Sequence, residues 1–237
     1  MRFISLLALL ALLPSCSSIG GGGGRDHWGN MPGPQGFRTV IIDAGHGGKD
    51  PGAVSRHTGQ REKDANLDLA KRLRSELSGS FRTVKIPYND RFVDLDDRVA
   101  FAKRYGDAIL VSLQFNSGSS SRRGREMYWW RVDSQGLAVR CQRAMNCVAP
   151  YSSNAGLRRR RLRVSRNPSI PCVLLEGGYM SHSSEARQIS SSAYRAKLAK
   201  AIAGAIRAQA ANGDAGTGPR QKFIQAPPSR GTDAPGS

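Results

Sequence analysis

Cysteine is scarce in this 237-residue chain, which has only Cys16, Cys141, Cys147 and Cys172. Setting aside Cys16, which falls in an N-terminal leader, an odd number remains. Cys141 and Cys147 stand six apart in a segment that reads as helix, so they point to different faces and suit neither a disulfide nor a metal. Cys172 lies in an apolar strand and reads as a small core residue. No disulfide is expected. Long hydrophobic runs are as rare: the apolar stretch 3–13 behind Arg2 is far too short to span a bilayer and reads as a secretory signal. Acidic residues are outnumbered, 18 Asp and Glu against 36 Lys and Arg, which leaves a net charge of +18. No aromatic residues interleave with the arginine clusters, so the stacking partners of a nucleic-acid surface are missing. No internal repeat is present.

The ends separate from the foldable middle by composition. The leader covers residues 1–16 and closes on Leu13-Pro14-Ser15-Cys16, which resembles a bacterial lipobox and would make Cys16 the lipidated first residue. The alternative is an ordinary signal peptide cut near Ser15 or Ser18. Residues 17–37 contain five consecutive glycines, 20–24, and read as a flexible tether. Residues 38–210 form one domain. Residues 211–237, rich in Gly, Pro, Ser and Ala without apolar periodicity, read as a disordered tail.

Within the domain, strands are expected at 38–43, 82–87, 108–114, 125–132 and 171–176, with a weaker one at 162–165. Helices are expected at 62–78, 94–105, 135–148 and 193–210. In the first helix Leu67, Leu69, Ala70, Leu73 and Leu77 supply an apolar face. In the second, Leu95, Val99, Ala102 and Tyr105 do so behind Asp94 as N-cap. Strands alternating with helices imply a single α/β domain, a mixed, mostly parallel sheet of about six strands with helices on both faces. In such sheets ligands gather at the carboxyl ends of strands.

Three chemical groups fall there. The first strand runs into Asp43-Ala44-Gly45-His46-Gly47-Gly48, the first helix opens on Arg61-Glu62-Lys63-Asp64-Ala65-Asn66-Leu67, and a late strand ends as Val173-Leu174-Leu175-Glu176-Gly177-Gly178. An imidazole and carboxylates so delivered are what a hydrolytic zinc site needs. Each has a plainer reading. His46 could be a turn histidine, and Glu62 could simply complement a helix dipole. A carboxylate such as Glu176 at the end of a buried strand is unusual unless paired or functional. His57 and His182 read as surface histidines, either able in principle to supply a further nitrogen, and His27 lies in the tether.

At these residues the chain resembles the zinc-dependent bacterial N-acetylmuramoyl-L-alanine amidases, which cut the lactyl-amide bond between glycan and stem peptide in peptidoglycan. The resemblance covers about residues 38–209. It implies zinc on His46 and Glu62 and an acid/base role for Glu176. The family's third ligand is a histidine in a segment that reads Ser112-Leu113-Gln114-Phe115-Asn116 here, so Gln114 takes its place. A neutral carboxamide should hold zinc less tightly than imidazole. Asn116, Arg158 and Arg163 are the expected substrate contacts. The arginines at 158–161, 163 and 166, with Arg122, Arg123 and Arg125, would face anionic envelope material, peptidoglycan first, or form only a solvated loop. Two functions follow: an exported amidase anchored at the membrane through Cys16, or an amidase-like peptidoglycan-binding protein that has lost catalysis through Gln114. Nucleic-acid binding is set aside because of the leader.

Overall fold

The computed structural model describes residues 31–87, 89–150, 154–166 and 169–218. The leader, Cys16, His27, the glycine run and the tail beyond 218 lie outside them. The elements are β1 (Thr39–Ala44), α1 (Glu62–Leu77), β2 (Arg82–Ile86), α2 (Leu95–Ala102), β3 (Ala108–Asn116), β4 (Arg125–Trp129), α3 (Gln135–Val148), β5 (Asn154–Arg159), β6 (Cys172–Tyr179), α4 (Ser183–Ser190) and α5 (Ser192–Asn212). The strands make one six-stranded sheet in the order β2-β1-β3-β6-β4-β5. β2, β1, β3 and β6 run parallel, β4 is antiparallel to β6, and β5 is parallel to β4.

Alternation along the strands divides the core in two, because successive side chains leave opposite faces. Val40, Ile42, Val111, Leu113, Met127, Val173 and Leu175 face α1, α3 and α5 and meet Leu69, Leu73, Leu137, Leu198 and Ile202. Ile41, Leu110 and Cys172 face the other way, toward Ala102 of α2 and toward Val164 and Ile170 of the β5–β6 connection. Near the carboxyl ends this second face turns polar, with Asp43, Ser112, Gln114 and Glu176 in the same phase as those core residues.

Several boundaries differ from expectation. The strand expected at 162–165 is a turn, closed by Arg166 N donating to Leu162 O and Ser165 Oγ to Arg160 O, while the strand that exists, β5, precedes it. β5 is an edge strand whose residues are mostly only half-buried, so its arginines carry no apolar alternation. α4 follows a histidine N-cap, His182, which accepts from Glu185 N. Asp94 caps α2 as expected by accepting from Asp96 N, but Leu95 is 40% exposed and the inward residues are Ala102, as expected, and Arg98, 2% exposed. The boundary expected at 210 falls inside α5. Beyond that helix Arg140 donates to Gly213 O, and Arg143 to Gly216 O and Thr217 O, so this turn docks on α3. Cys141 and Cys172 are buried and Cys147 is exposed, all three as free thiols.

Candidate active site

The site begins with a buried ion pair beneath a strained turn. Asp43, fully buried near the end of β1, accepts from Arg98 Nη1 at 2.5 Å and from Ser112 Oγ at 2.7 Å. The same guanidinium donates to Ala44 O at 2.6 Å, to His46 O at 2.7 Å and, through Nε, to Val93 O at 3.0 Å. His46 has φ +65°, a left-handed conformation that costs a non-glycine residue about 1–2 kcal/mol. The carbonyl bond from Arg98 holds it there. Opposite, Lys63 Nζ bridges Gly48 O and Asp90 Oδ2, and Asp90 Oδ1 accepts from Gly48 N, which fixes the far side of the loop.

The imidazole is aimed from both nitrogens. Nδ1 lies 2.8 Å from Asp50 Oδ2, and Nε2 lies 3.2 Å from Glu62 Oε2. Burial opposes its charge, but Glu62 and Asp50 outweigh that and raise the His46 pKa to about 9. Glu62, 5% exposed, is oriented by three donors: Ala53 N on Oε2, and Phe115 N and Asn66 Nδ2 on Oε1. Asn66 also donates to Gly45 O, tying the helix start to the turn. Gly52 is required here, with φ +63°, because a Cβ would stand 2.6 Å from His46 Cδ2 and 2.7 Å from Glu62 Oε2.

This geometry suits a shared cation. Two donors about 2 Å from a tetrahedral zinc lie about 3.3 Å apart, close to the 3.2 Å between Nε2 and Oε2. Asp50 on Nδ1 is the carboxylate that typically orients a metal-bound imidazole. Among the described residues no group of three or more His, Cys, Asp or Glu could hold a metal, so a third protein donor would have to be of another type. Gln114 packs against the same turn. Its carboxamide lies over Gly45, where a Cβ would come within 2.4 Å of Oε1, and on β3 it pairs with Glu176 across to β6. His57 and His182 do not fill the role: His57 Nε2 contacts Ser181 O, and His182 Nδ1 accepts from Glu185 N.

Glu176 Oε2 is buried without a hydrogen-bond partner among the described residues. Burial pushes the carboxyl well above the usual carboxylate range, and Glu62 and Glu126 push it further. Directly across the antiparallel pair sits Glu126, fully buried and unremarked in the sequence. It accepts from Asn116 Nδ2 at 2.8 Å, Tyr128 Oη at 2.7 Å and Arg158 Nε at 3.2 Å. Asn116 and Arg158 are therefore brought to the site, whereas Arg163 is not: it donates to Asp96 Oδ1 at 2.6 Å, at the start of α2. The β5–β6 turn, displacing the expected strand, carries it there.

Comparison with known proteins decides the family. A model described as N-acetylmuramoyl-L-alanine amidase matches residues 40–208. The chain belongs to that family. It is 32% identical over 173 residues to the probable cell wall amidase LytH of Staphylococcus saprophyticus, covering 72% of this chain and 58% of that relative. Thus the chain spans under two thirds of that relative's length. Among solved structures it resembles the catalytic domain of the amidase CwlV from Bacillus (Paenibacillus) polymyxa var. colistinus, at TM-score 0.68 and 32% identity, covering 72% of this chain and 96% of that one. The amidase AmiC2 of Nostoc punctiforme gives TM-score 0.67 and 34% identity, with 73% and 97% covered. The single α/β domain and its mostly parallel six-stranded sheet agree with these relatives.

Arg98, Asp50 and Glu126 are the site residues that sequence reasoning missed. Asp50 stands one helical step after His46 in a glycine-rich turn, a usable signal for an imidazole partner. Glu126 alternates with Met127 in a strand and shares a face with Tyr128, so period-two reading would have paired it with the polar end of β6.

Proposed function

We propose that the protein hydrolyses the amide between N-acetylmuramic acid and L-alanine in peptidoglycan, with zinc held by His46 Nε2 and Glu62 and completed by Gln114 or water. The observation that carries this reading is the 3.2 Å approach of His46 Nε2 to Glu62 Oε2 beside a carboxyl, Glu176, whose Oε2 is buried and without a hydrogen-bond partner among the described residues. Zinc, when bound, supplies Lewis acidity that polarises a carbonyl and acidifies water. Asp50 fixes the imidazole tautomer, while Ala53 N, Phe115 N and Asn66 hold both oxygens of Glu62. Glu176, in its ionised form, takes the proton of the attacking water and, so protonated, returns it to the departing L-alanine nitrogen. Asn116, held by Glu126, orients the substrate beside it.

Export to the cell envelope agrees with the leader and with the names of the relatives, and acylation of Cys16 would tether the domain to a membrane. Among the described residues no helix is long and apolar enough to cross one. Purified sacculi incubated with zinc-loaded protein should release peptides that begin with a free L-alanine amino group. If no such amino groups appear, the hydrolytic reading fails. The carboxamide at Gln114 favours a second reading, a protein that binds peptidoglycan without cutting it. Sacculus binding by persistently metal-free protein would be its signature.

A further inference from the structure

Glu126 does more than hold Asn116. Its Oε1 accepts from Arg158 Nε at 3.2 Å and lies 3.8 Å from Arg122 Nη2, so one carboxylate, itself 0% exposed, draws two guanidinium groups toward the face that carries Glu176. The Arg158 and Arg122 side chains remain 33% and 56% exposed. Arg158 spends Nη2 on Ala155 O, which leaves Nη1 without a partner among the described residues. Arg122 lies over the Tyr179 ring, 5.3 Å from its centroid. The loop that carries Arg122 is fixed at both ends, since Gly118 N donates to Ser181 Oγ and Gly124 N to Glu185 Oε1. Two positive charges facing one negative charge leave this rim cationic, preorganised and short of one anion.

We propose that Arg122 and Arg158, positioned by Glu126, form a subsite for a free carboxylate on the peptide arm of the ligand; this rests on the amidase reading. The peptide would lie with its scissile amide near Glu176 and its carboxylate across the β4–β6 pair. A guanidinium with one edge anchored and the other free is suited to a carboxylate and not to its neutral amide. The subsite therefore distinguishes free from amidated stem peptides.

Two ligands test it: N-acetylmuramoyl-L-alanyl-D-glutamate and the same molecule with both glutamate carboxyls amidated. Binding is measured by calorimetry at fixed salt, on the full chain with zinc supplied and carrying Glu176→Gln so that the ligand survives. The free acid should bind about tenfold more tightly, the worth of one charge-assisted hydrogen bond at a half-exposed rim. Arg158→Gln and Arg122→Gln should each lower that ratio severalfold while binding of the amidated ligand stays unchanged. Arg122→Gln removes only an exposed side chain, so it remains informative even if Arg158→Gln impairs folding. Arg82→Gln, on the β2 edge, controls for the overall positive charge and should leave the ratio intact. Equal affinity for the two ligands, no binding of either, a ratio that survives both site variants, or an equal loss in Arg82→Gln would overturn the subsite. Failure of the amidase reading shows separately, because the native protein would then turn over neither ligand while the binding ratio still reports on the arginines.

Discussion

Replacing Arg98 with methionine should destabilise the domain more than any other single change beneath the site. The substitution leaves Asp43, which is 0% exposed, with only Ser112 Oγ on one oxygen, and it removes the donors to Ala44 O, His46 O and Val93 O. Removing one member of a buried ion pair costs about 3–5 kcal/mol, a large share of the about 5–15 kcal/mol that a domain possesses. At about 2–4 °C per kcal/mol for a domain of this size, Tm should fall by about 6–20 °C. Calorimetric melting at matched zinc concentration measures it. The double change Asp43→Leu with Arg98→Met removes both charges and should recover part of the loss, since replacing a whole buried pair by apolar groups is often close to neutral. A loss below about 1 kcal/mol for Arg98→Met, the worth of an ordinary hydrogen bond, or a double variant worse than the sum of the singles, would refute the account of how the His46 turn is held.

Glu176→Gln should lower stem-peptide release by about 10²–10⁴-fold without lowering Tm, because burial, Glu62 and Glu126 already disfavour the ionised carboxyl and the amide keeps its shape; retained turnover would reject Glu176 as the acid/base. Gln114→His should raise zinc retention after dialysis against a weak chelator and increase hydrolysis, since imidazole is the better zinc donor; full native occupancy unchanged by the substitution would remove Gln114 from the metal. Gly52→Ala should cost at least about 1 kcal/mol from its left-handed backbone and release zinc, as the new methyl meets His46 and Glu62; unchanged metal content would contradict the geometry. Cys16→Ser should move the protein from the membrane to the soluble fraction, and an unaltered distribution would count against acylation.

Much of this architecture was legible because the central strands are buried on both faces. β1, β3 and β6 read as continuous apolar runs ending in His46, Gln114 and Glu176, and the burial is decided by the runs themselves. The Asp94 cap was legible for the same local reason. What was not legible depended on partners distant in sequence. Arg98 lies in a charged stretch that looks solvated, and only Asp43, 55 residues away, turns it inward. β5 is an edge strand whose arginines hide its alternation, and Glu126 looks like surface until β6 pairs beside it.

The position of β6 between β3 and β4 has a consequence for how the chain reaches its native state. The strand that carries Glu176 is the last of the six in sequence yet occupies an interior place in the sheet. Until residues 172–179 are available, β3 has an open edge on that side and β4 has no antiparallel partner. Closure of the sheet must therefore wait for most of the chain, and non-local pairing of this kind folds slowly. Assembly of the sheet and delivery of the Glu176 carboxyl are one event, so a chain interrupted before β6 lacks both a finished core and the group proposed here as the acid/base.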